Sequence, residues 1–295
     1  MNRIICLSAA LGLLVNGTHI FAQAPNPTYL NEVPPGITPK IFAPGKVSKP
    51  NESEFGSVFS NDMTEFNYSV EIRGKAETRM MKFENGKWST PVKILFHEVY
   101  SYNDPFLTPD NKKLFFISNR FLNGTGPKKD FDIWYVERSV EGWSEMKNAG
   151  NNINSSENEY YISFTSSGKM YFSSNRAANN YDIYSSVVKA GEFQPLVKLG
   201  PQINTSAYEA DVFVAPDESY LIFSAISEDG LDSGELHVSF RSQDGSWTPR
   251  TSFGDPVNTE TNDFCPYVSP DGKYFFYSSQ NDIYWVSSEV IRELR

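Results

Sequence analysis

Short runs of alternating apolar and polar residues recur along this chain, separated by clusters of Pro, Asp, Asn, Gly and Ser, the pattern of half-buried strands joined by tight turns. The first set is 54–60 (EFGSVFS), 65–72 and 78–83, with Trp88 opening a fourth run. The second is 103–110 (NDPFLTPD), 112–120 (KKLFFISNR), 132–136 (DIWYV) and Trp143. The third is 159–165 (EYYISFT), 169–176 (KMYFSSNR), 182–187 (DIYSSV) and Phe193. The fourth is 209–217 (EADVFVAPD), 220–225 (YLIFSA), 234–240 (GELHVSF) and Trp247, and the fifth ends with 282–286 (DIYWV). Each set predicts four short antiparallel strands, with Pro-Asp turn chemistry between the first two. A period of about fifty residues belongs to propeller blades rather than to helical solenoids.

The fifth set has no fourth strand, and an unassigned strand precedes the first. Residues 37–48 (ITPKIFAPGKVS) match 247–258 (WTPRTSFGDPVN) and 193–204 (FQPLVKLGPQIN) without a gap, with Pro39, Pro249 and Pro195 aligned and Val47, Val257 and Ile203 likewise. The expected fold is therefore an all-β propeller of five four-stranded blades, its ring closed by the N-terminal strand pairing with the last blade. Closure removes the exposed edges of an open stack. Six blades is the alternative, should one be degenerate.

The units SPDGKYFFYSS…DIYWV, TPDNKKLFFISNR…DIWYV and APDESYLIFSA…GELHV resemble the WD-like, Pro-Asp propeller repeat of the TolB-type family. The resemblance covers residues 54–286 and implies the fold rather than a function. TolB carries a further N-terminal domain that nothing here resembles, so its partner-binding role in the cell envelope does not transfer as it stands. Related repeats also form propeller parts of peptidases, but no hydrolase domain is expected after Arg295.

Composition narrows the class. A formal charge of −10 and a pI near 4.9 argue against nucleic-acid binding, which needs a basic face. The start combines Arg3, an apolar run too short to span a bilayer, and Ala22 before a cleavage point. The domain reading is thus a signal peptide over 1–22, a Pro-rich lead over 23–36, extended and mobile, and a single propeller over 37–295, exported to the periplasm or secreted as a monomer. Cys6 falls within the leader, which leaves Cys265 without a partner.

Aligning the units on their turns puts Glu54, Tyr102, Glu159, Glu209 and Asp263 in one column at the start of the innermost strands. Two positions on are Gly56, Asp104, Tyr161, Asp211 and Cys265. Innermost strands line the central channel, so Glu54, Asp104, Glu159, Glu209, Asp211 and Asp263 are the candidate ligand-binding residues at its mouth. The competing reading is structural: the column recurs with the repeat, each acid pairing with an Arg of a neighbouring blade, such as Arg120 or Arg176, or accepting backbone N–H bonds. The Asp of Asp-Ile-Tyr (Asp132, Asp182, Asp282) reads as a turn closer, Asn154, Asn204 and Asn258 as turn formers, and Trp88, Trp143, Phe193 and Trp247 as packing residues. His97 and His237 are isolated, which disfavours a zinc site or a Ser-His-Asp triad. No cofactor is expected; a structural Ca²⁺ in the oxygen-rich channel is the one metal reading. Two functions follow: a non-enzymatic binding or scaffold module for a protein or cell-envelope partner, or a glycoside hydrolase using channel-mouth carboxylates. Blade-specific insertions at 121–129 and 226–233 are expected on one face, and the 96–101 loop with His97 on the other.

Overall fold

The computed structural model describes residues 29–177, 180–226 and 233–295. The expected leader, with Cys6 and His19, and most of the 226–233 insertion lie outside the described residues. Five antiparallel sheets form a closed ring. Blade 1 consists of Ser53–Phe59, Glu65–Ile72, Lys75–Glu84 and Val92–Leu95; blade 2 of Tyr102–Leu107, Lys113–Ser118, Asp132–Ser139 and Lys147–Asn148. Blade 3 is Glu159–Phe164, Met170–Ala177, Asn180–Ser186 and Val197–Lys198, and blade 4 is Glu209–Val214, Tyr220–Ala225, Glu235–Phe240 and Thr251–Ser252. Blade 5 has Phe264–Val268, Tyr274–Ser279 and Asp282–Ser287, and takes its outer strand, Lys40–Ile41, from the other end of the chain.

That last pairing closes the ring as the strand count requires. Lys40 lies opposite Trp285 and Ile41 opposite Tyr284. The register is one residue off the gap-free match, which aligns Phe42 with Lys198 and Ser252. In the pairing Ile41 takes that place, since Lys198 faces Tyr184 and Ser252 faces His237. The turn after the strand, with Ala43 at φ 46°, absorbs the difference. Val47 then returns to the buried position held by Ile203 and Val257.

Side chains of one strand face alternately into the two spaces between a blade and its neighbours. Those spaces hold the core, with Phe42, Phe66, Phe116, Phe172, Phe223, Phe275 and Trp285 among its fully buried side chains. Each such burial contributes roughly 1.5–3 kcal/mol relative to exposure. The turns between first and second strands are built by their Asp residues: Asp110 accepts from Thr108 Oγ1 (2.7 Å) and Lys112 N–H (3.0 Å), and Asp271 from Ser269 Oγ (2.8 Å) and Lys273 N–H (3.2 Å). Gly272 supplies the left-handed residue of the latter turn (φ 70°).

The Asn column does more than form turns. Asn154 accepts from Ile133 N–H (2.9 Å) and donates to Ile133 O (3.0 Å). Asn204 does the same to Ile183, and Asn258 to Leu236. Each side-chain amide replaces a missing length of outer strand and satisfies a buried peptide group on the third strand. Asn204→Leu leaves the Ile183 N–H unpaired, while Ile183 O keeps the bond from Leu199 N–H (3.0 Å), and is expected to cost about 1–3 kcal/mol, read as a lower urea midpoint at unchanged slope. A loss under about 0.5 kcal/mol, the range of ordinary surface substitutions, would show that the amide only shapes the turn.

The lead is not extended and free where it is described. Tyr29 and Leu30 are buried, in a short left-handed turn (φ 39° and 56°) packed between blades 5 and 1.

Candidate functional site

The acids at the start of the innermost strands sit at one end of the channel, hereafter the entrance face, and most are engaged by their own connections. Glu159 accepts from Ser155 N–H (3.1 Å) and Oγ (2.6 Å), Ser174 Oγ (2.9 Å) and Arg176 Nη2 (2.8 Å). Glu209 accepts from Thr205 N–H (3.0 Å) and Oγ1 (2.5 Å) and from Arg250 Nη1 (2.7 Å). Asp263 accepts from Thr259 N–H (2.6 Å) and Oγ1 (3.2 Å). The arginines belong to the acids' own blades rather than to neighbours. Arg120 instead lies over the Trp134 ring (4.9 Å).

Glu54 is the exception in the column. It accepts only Lys49 N–H (3.2 Å), its Oε2 has no donor, and burial pushes its carboxyl up to about 7. Two of the three Asp residues of the Asp-Ile-Tyr position pair with lysine rather than closing a turn: Asp132 with Lys129 and Asp182 with Lys198, both at 2.7 Å.

The second column makes the waist of the channel. Every innermost strand shifts register near this position, and Gly56, Asp104, Tyr161, Asp211 and Cys265 all have left-handed backbones (φ 57°, 50°, 46°, 51° and 52°). Such a bulge re-aims the side chain that follows it. Four of the five are not glycine, so the ring carries backbone strain of the kind that collects at functional sites. At Gly56 there is little room for more: an added Cβ would lie 3.1 Å from Asp104 Oδ1 and 3.2 Å from its Cα.

Cys265 ties the two aspartates together. Its Sγ–H points to Asp104 Oδ1 (3.5 Å) and its N–H to Asp211 Oδ2 (3.4 Å), while Tyr161 donates across the channel to Pro266 O (2.8 Å). Asp104 is buried; Asp211 lies equally deep but keeps part of its surface open to the channel. Burial, then the charge of Asp211, pushes the Asp104 carboxyl up to about 8, and burial pushes Asp211 up to about 6. The pair titrates as a unit, and around neutral pH one proton is held within it. Burial also drives the Cys265 thiol up, away from thiolate chemistry.

Aromatic rings crowd above this pair. Phe131, Tyr160, Tyr181 and Tyr208 form a continuous arc, with centroids 5.2, 5.7 and 5.1 Å apart, and Phe55 meets Phe264 at 6.2 Å. All but Phe55 retain exposure. Three hydroxyls of this arc, on Tyr160, Tyr181 and Tyr208, feel the Asp211 charge. Beside them Asn103, in the strand position that Tyr160 and Phe264 occupy, has a buried Oδ1 with no donor. Sequence alignment brings Glu54, Asp104 and Asp211 toward this mouth but passes over the tyrosines, whose signal is their position one step before the bulge or in the adjoining connections.

The loop assignment needs correction. The 96–101 loop and the 121–129 insertion share the entrance face: Tyr100 donates to Gly126 O (2.8 Å) and Ser101 N–H to Asn119 Oδ1 (2.9 Å). Two strand reversals return the chain to the side from which the blade began, so connections after the second and fourth strands emerge together.

The opposite, exit face has a cavity of about 520 Å³ on the axis, lined by Val58, Phe106, Phe164, Phe213 and Tyr267. An adjoining cleft of about 660 Å³ runs between blades 2 and 3, walled by Phe115, Tyr135, Phe164 and Phe193, with Asp110 and Lys113 at its rim. Among the described residues, no three His, Cys, Asp or Glu side chains gather in a metal-binding arrangement, and no helix is long and apolar enough to cross a membrane.

No protein-family model matches the chain, and no curated protein matches it by sequence. Solved structures do. TolB from Acinetobacter baumannii aligns with a TM-score of 0.51 at 12% identity, over 82% of this chain and 56% of that one, so the chain spans little more than half of its length. A TolB relative from Agrobacterium tumefaciens gives 0.52 at 15% identity, over 80% and 73% of the two chains. A thermostable family-43 glycoside hydrolase gives 0.52 at 13% identity, over 80% and 88%. At these identities the likeness is one of architecture: the chain has a TolB-like β-propeller fold.

Proposed function

We propose that this protein is an exported binding propeller that receives a protein or cell-envelope partner on its entrance face. One observation carries the reading: a partly exposed aromatic arc runs from Phe131 to Tyr208, and its three tyrosine hydroxyls feel the charge of Asp211. Aromatic bodies with polar tips make strong contacts at low entropic cost. The two loops that distinguish blades 1 and 2 stand on the same face, where blade-specific recognition is expected. Export rests on the 1–22 leader pattern and fits a TolB-like architecture.

The waist supports a second reading. A protonated carboxyl beside one that ionises first is the arrangement used in glycoside hydrolysis. Against it, Asp104 is wedged between the Gly56 backbone and Cys265, which leaves Asp211 as the one of the two open to a substrate. The test is site-specific photo-crosslinking from position 208 in intact cells, beside a position on the exit face, together with a glycoside panel scored for product. Partner capture at 208 that is lost in Tyr160→Ala, with no product formed, supports the binding reading. Product release abolished by Asp211→Asn would replace it with the enzyme.

A further inference from the structure

Tyr29 shows what one interblade cleft on the exit face is built to hold. Its ring lies 5.5 Å from Trp285, 4.7 Å from Tyr274, 6.3 Å from Phe276 and 5.8 Å from Phe59. Its hydroxyl donates to Asp271 Oδ1 (2.6 Å) and approaches Ser269 Oγ (3.3 Å). Lys46 holds the following carbonyl, Leu30 O, at 3.1 Å.

The same frame recurs between blades 2 and 3, with no described residue in the place of Tyr29. Phe115 faces Tyr135 across the strands as Phe276 faces Trp285. Phe164 ends the next innermost strand as Phe59 does, 4.9 Å from Phe115. Thr108 is bonded to Asp110 (2.7 Å) as Ser269 is to Asp271 (2.8 Å). Asn152, which aligns with Lys46, lines the cleft, and Lys113 stands for Tyr274 at its rim. These are walls of the 660 Å³ cleft.

The remaining junctions are covered in other ways. Arg138 bridges blades 1 and 2 by a two-pronged bond to Glu65 (2.9 and 2.7 Å). Lys169 and Tyr171 of blade 3 both engage Glu218 of blade 4, which Arg241 also approaches. By blades 4 and 5 the C-terminal segment lays Arg295 over Phe240 (5.8 Å). Among the described residues, the cleft between blades 2 and 3 is the junction of this face left open.

We propose that this cleft binds a tyrosine side chain presented by a tight turn of a partner protein, held as Tyr29 is held between blades 5 and 1. The rings of Phe115, Tyr135, Phe164 and Phe193 take the phenyl face, and the ionised Asp110 accepts the hydroxyl proton in a charge-assisted hydrogen bond. Neighbouring bonds hold the Asp110 carboxyl below its usual range, so the acceptor is present at neutral pH. The site lies on the face opposite the tyrosine arc, so it stands or falls independently of the function proposed for the entrance.

The probe is a labelled peptide of this chain's own residues 26–32 (NPTYLNE), titrated into the intact protein by fluorescence anisotropy beside its Tyr-to-Phe analogue. Saturable binding is expected, at least five-fold tighter for the tyrosine peptide. Asp110→Ala should remove that preference, with the melting temperature lowered only by the loss of its two turn hydrogen bonds, and Phe193→Ala should weaken both peptides. Absence of saturable binding, equal affinity of the two peptides for the unaltered protein, or indifference to both substitutions overturns the proposal. Self-association that Asp110→Ala abolishes would assign the cleft to a second copy of the chain and overturn the partner assignment.

Discussion

Tyr29→Ala is expected to destabilise the propeller by about 3–5 kcal/mol, the range for removing a buried large aromatic. The ring touches blade 5 through Tyr274, Phe276 and Trp285 and blade 1 through Phe59, so its loss opens the seam where the two ends of the chain meet. Burial and the bond to Asp271 push the phenol pKa up, so the hydroxyl stays a donor across the working pH range. Tyr29→Phe separates the contributions: it keeps the packing and loses the hydrogen bond to a charged acceptor, for about 1.5–3 kcal/mol. Equilibrium denaturation of both variants checks this. An alanine variant as stable as the parent would mean that the 29–31 turn rests on the ring without holding it.

The second large effect is a pH dependence centred on the channel waist. Asp104 has an ordinary value of 3.8 and is pushed up to about 8 in the folded chain. Between those values the folded protein keeps the proton and the unfolded chain has released it, so stability falls as pH rises and levels off above the folded value. The slope from one group approaches 1.4 kcal/mol per pH unit at most; coupling to Asp211 spreads it over a wider range. Asp104→Asn should therefore match the parent near pH 4 and exceed it by several kcal/mol, about 1.4 kcal/mol for each pH unit over which the folded chain alone keeps the proton, at pH 9. Asp211 and Glu54, also raised, add slopes of the same sign, so the informative quantity is the difference between variant and parent. Melting temperatures at pH 4.5, 6, 7.5 and 9 give it. Parallel curves would show that Asp104 is ionised throughout.

The repeat was legible because most blades spell the same signals. Pro-Asp marks the first turn in blades 2, 4 and 5, and Asp-Ile with an aromatic opens the third strand in blades 2, 3 and 5. Closure followed from counting strands, since hydrogen-bonding edges must end somewhere. Its register did not, because a one-residue shift in a two-residue strand costs nothing in pattern when the next turn can take it up.

The site was legible only in part. Asp104 and Asp211 stand out as acids two positions into the innermost strand. That they meet depends on bulges that a sequence does not announce, since φ near +50° at Asp, Tyr and Cys runs against residue preference. Glu159, Glu209 and Asp263 occupy the same column with their oxygens taken up by local Ser and Thr groups. The Ser or Thr four residues earlier was the available hint. Glu54 lacks one: Pro50 stands at that position, and only the backbone N–H of Lys49 reaches the carboxylate. The tyrosine arc draws on blades 3 and 4, and Phe131 on blade 2, so no single repeat displays it.

The seam between the ends of the chain also sets an order of events. Tyr29 meets Ser269 across 240 residues of sequence, whereas the strands within blades 1 to 4 pair with near neighbours. Local hairpins form before contacts that must close a long loop. On a chain emerging from one end, four blades can be assembled while the fifth still lacks both its outer strand and the Tyr29 wedge. The ring-open molecule would expose the edge of Asp282–Ser287 to other chains, and the latch that ends this vulnerable interval is made first and used last.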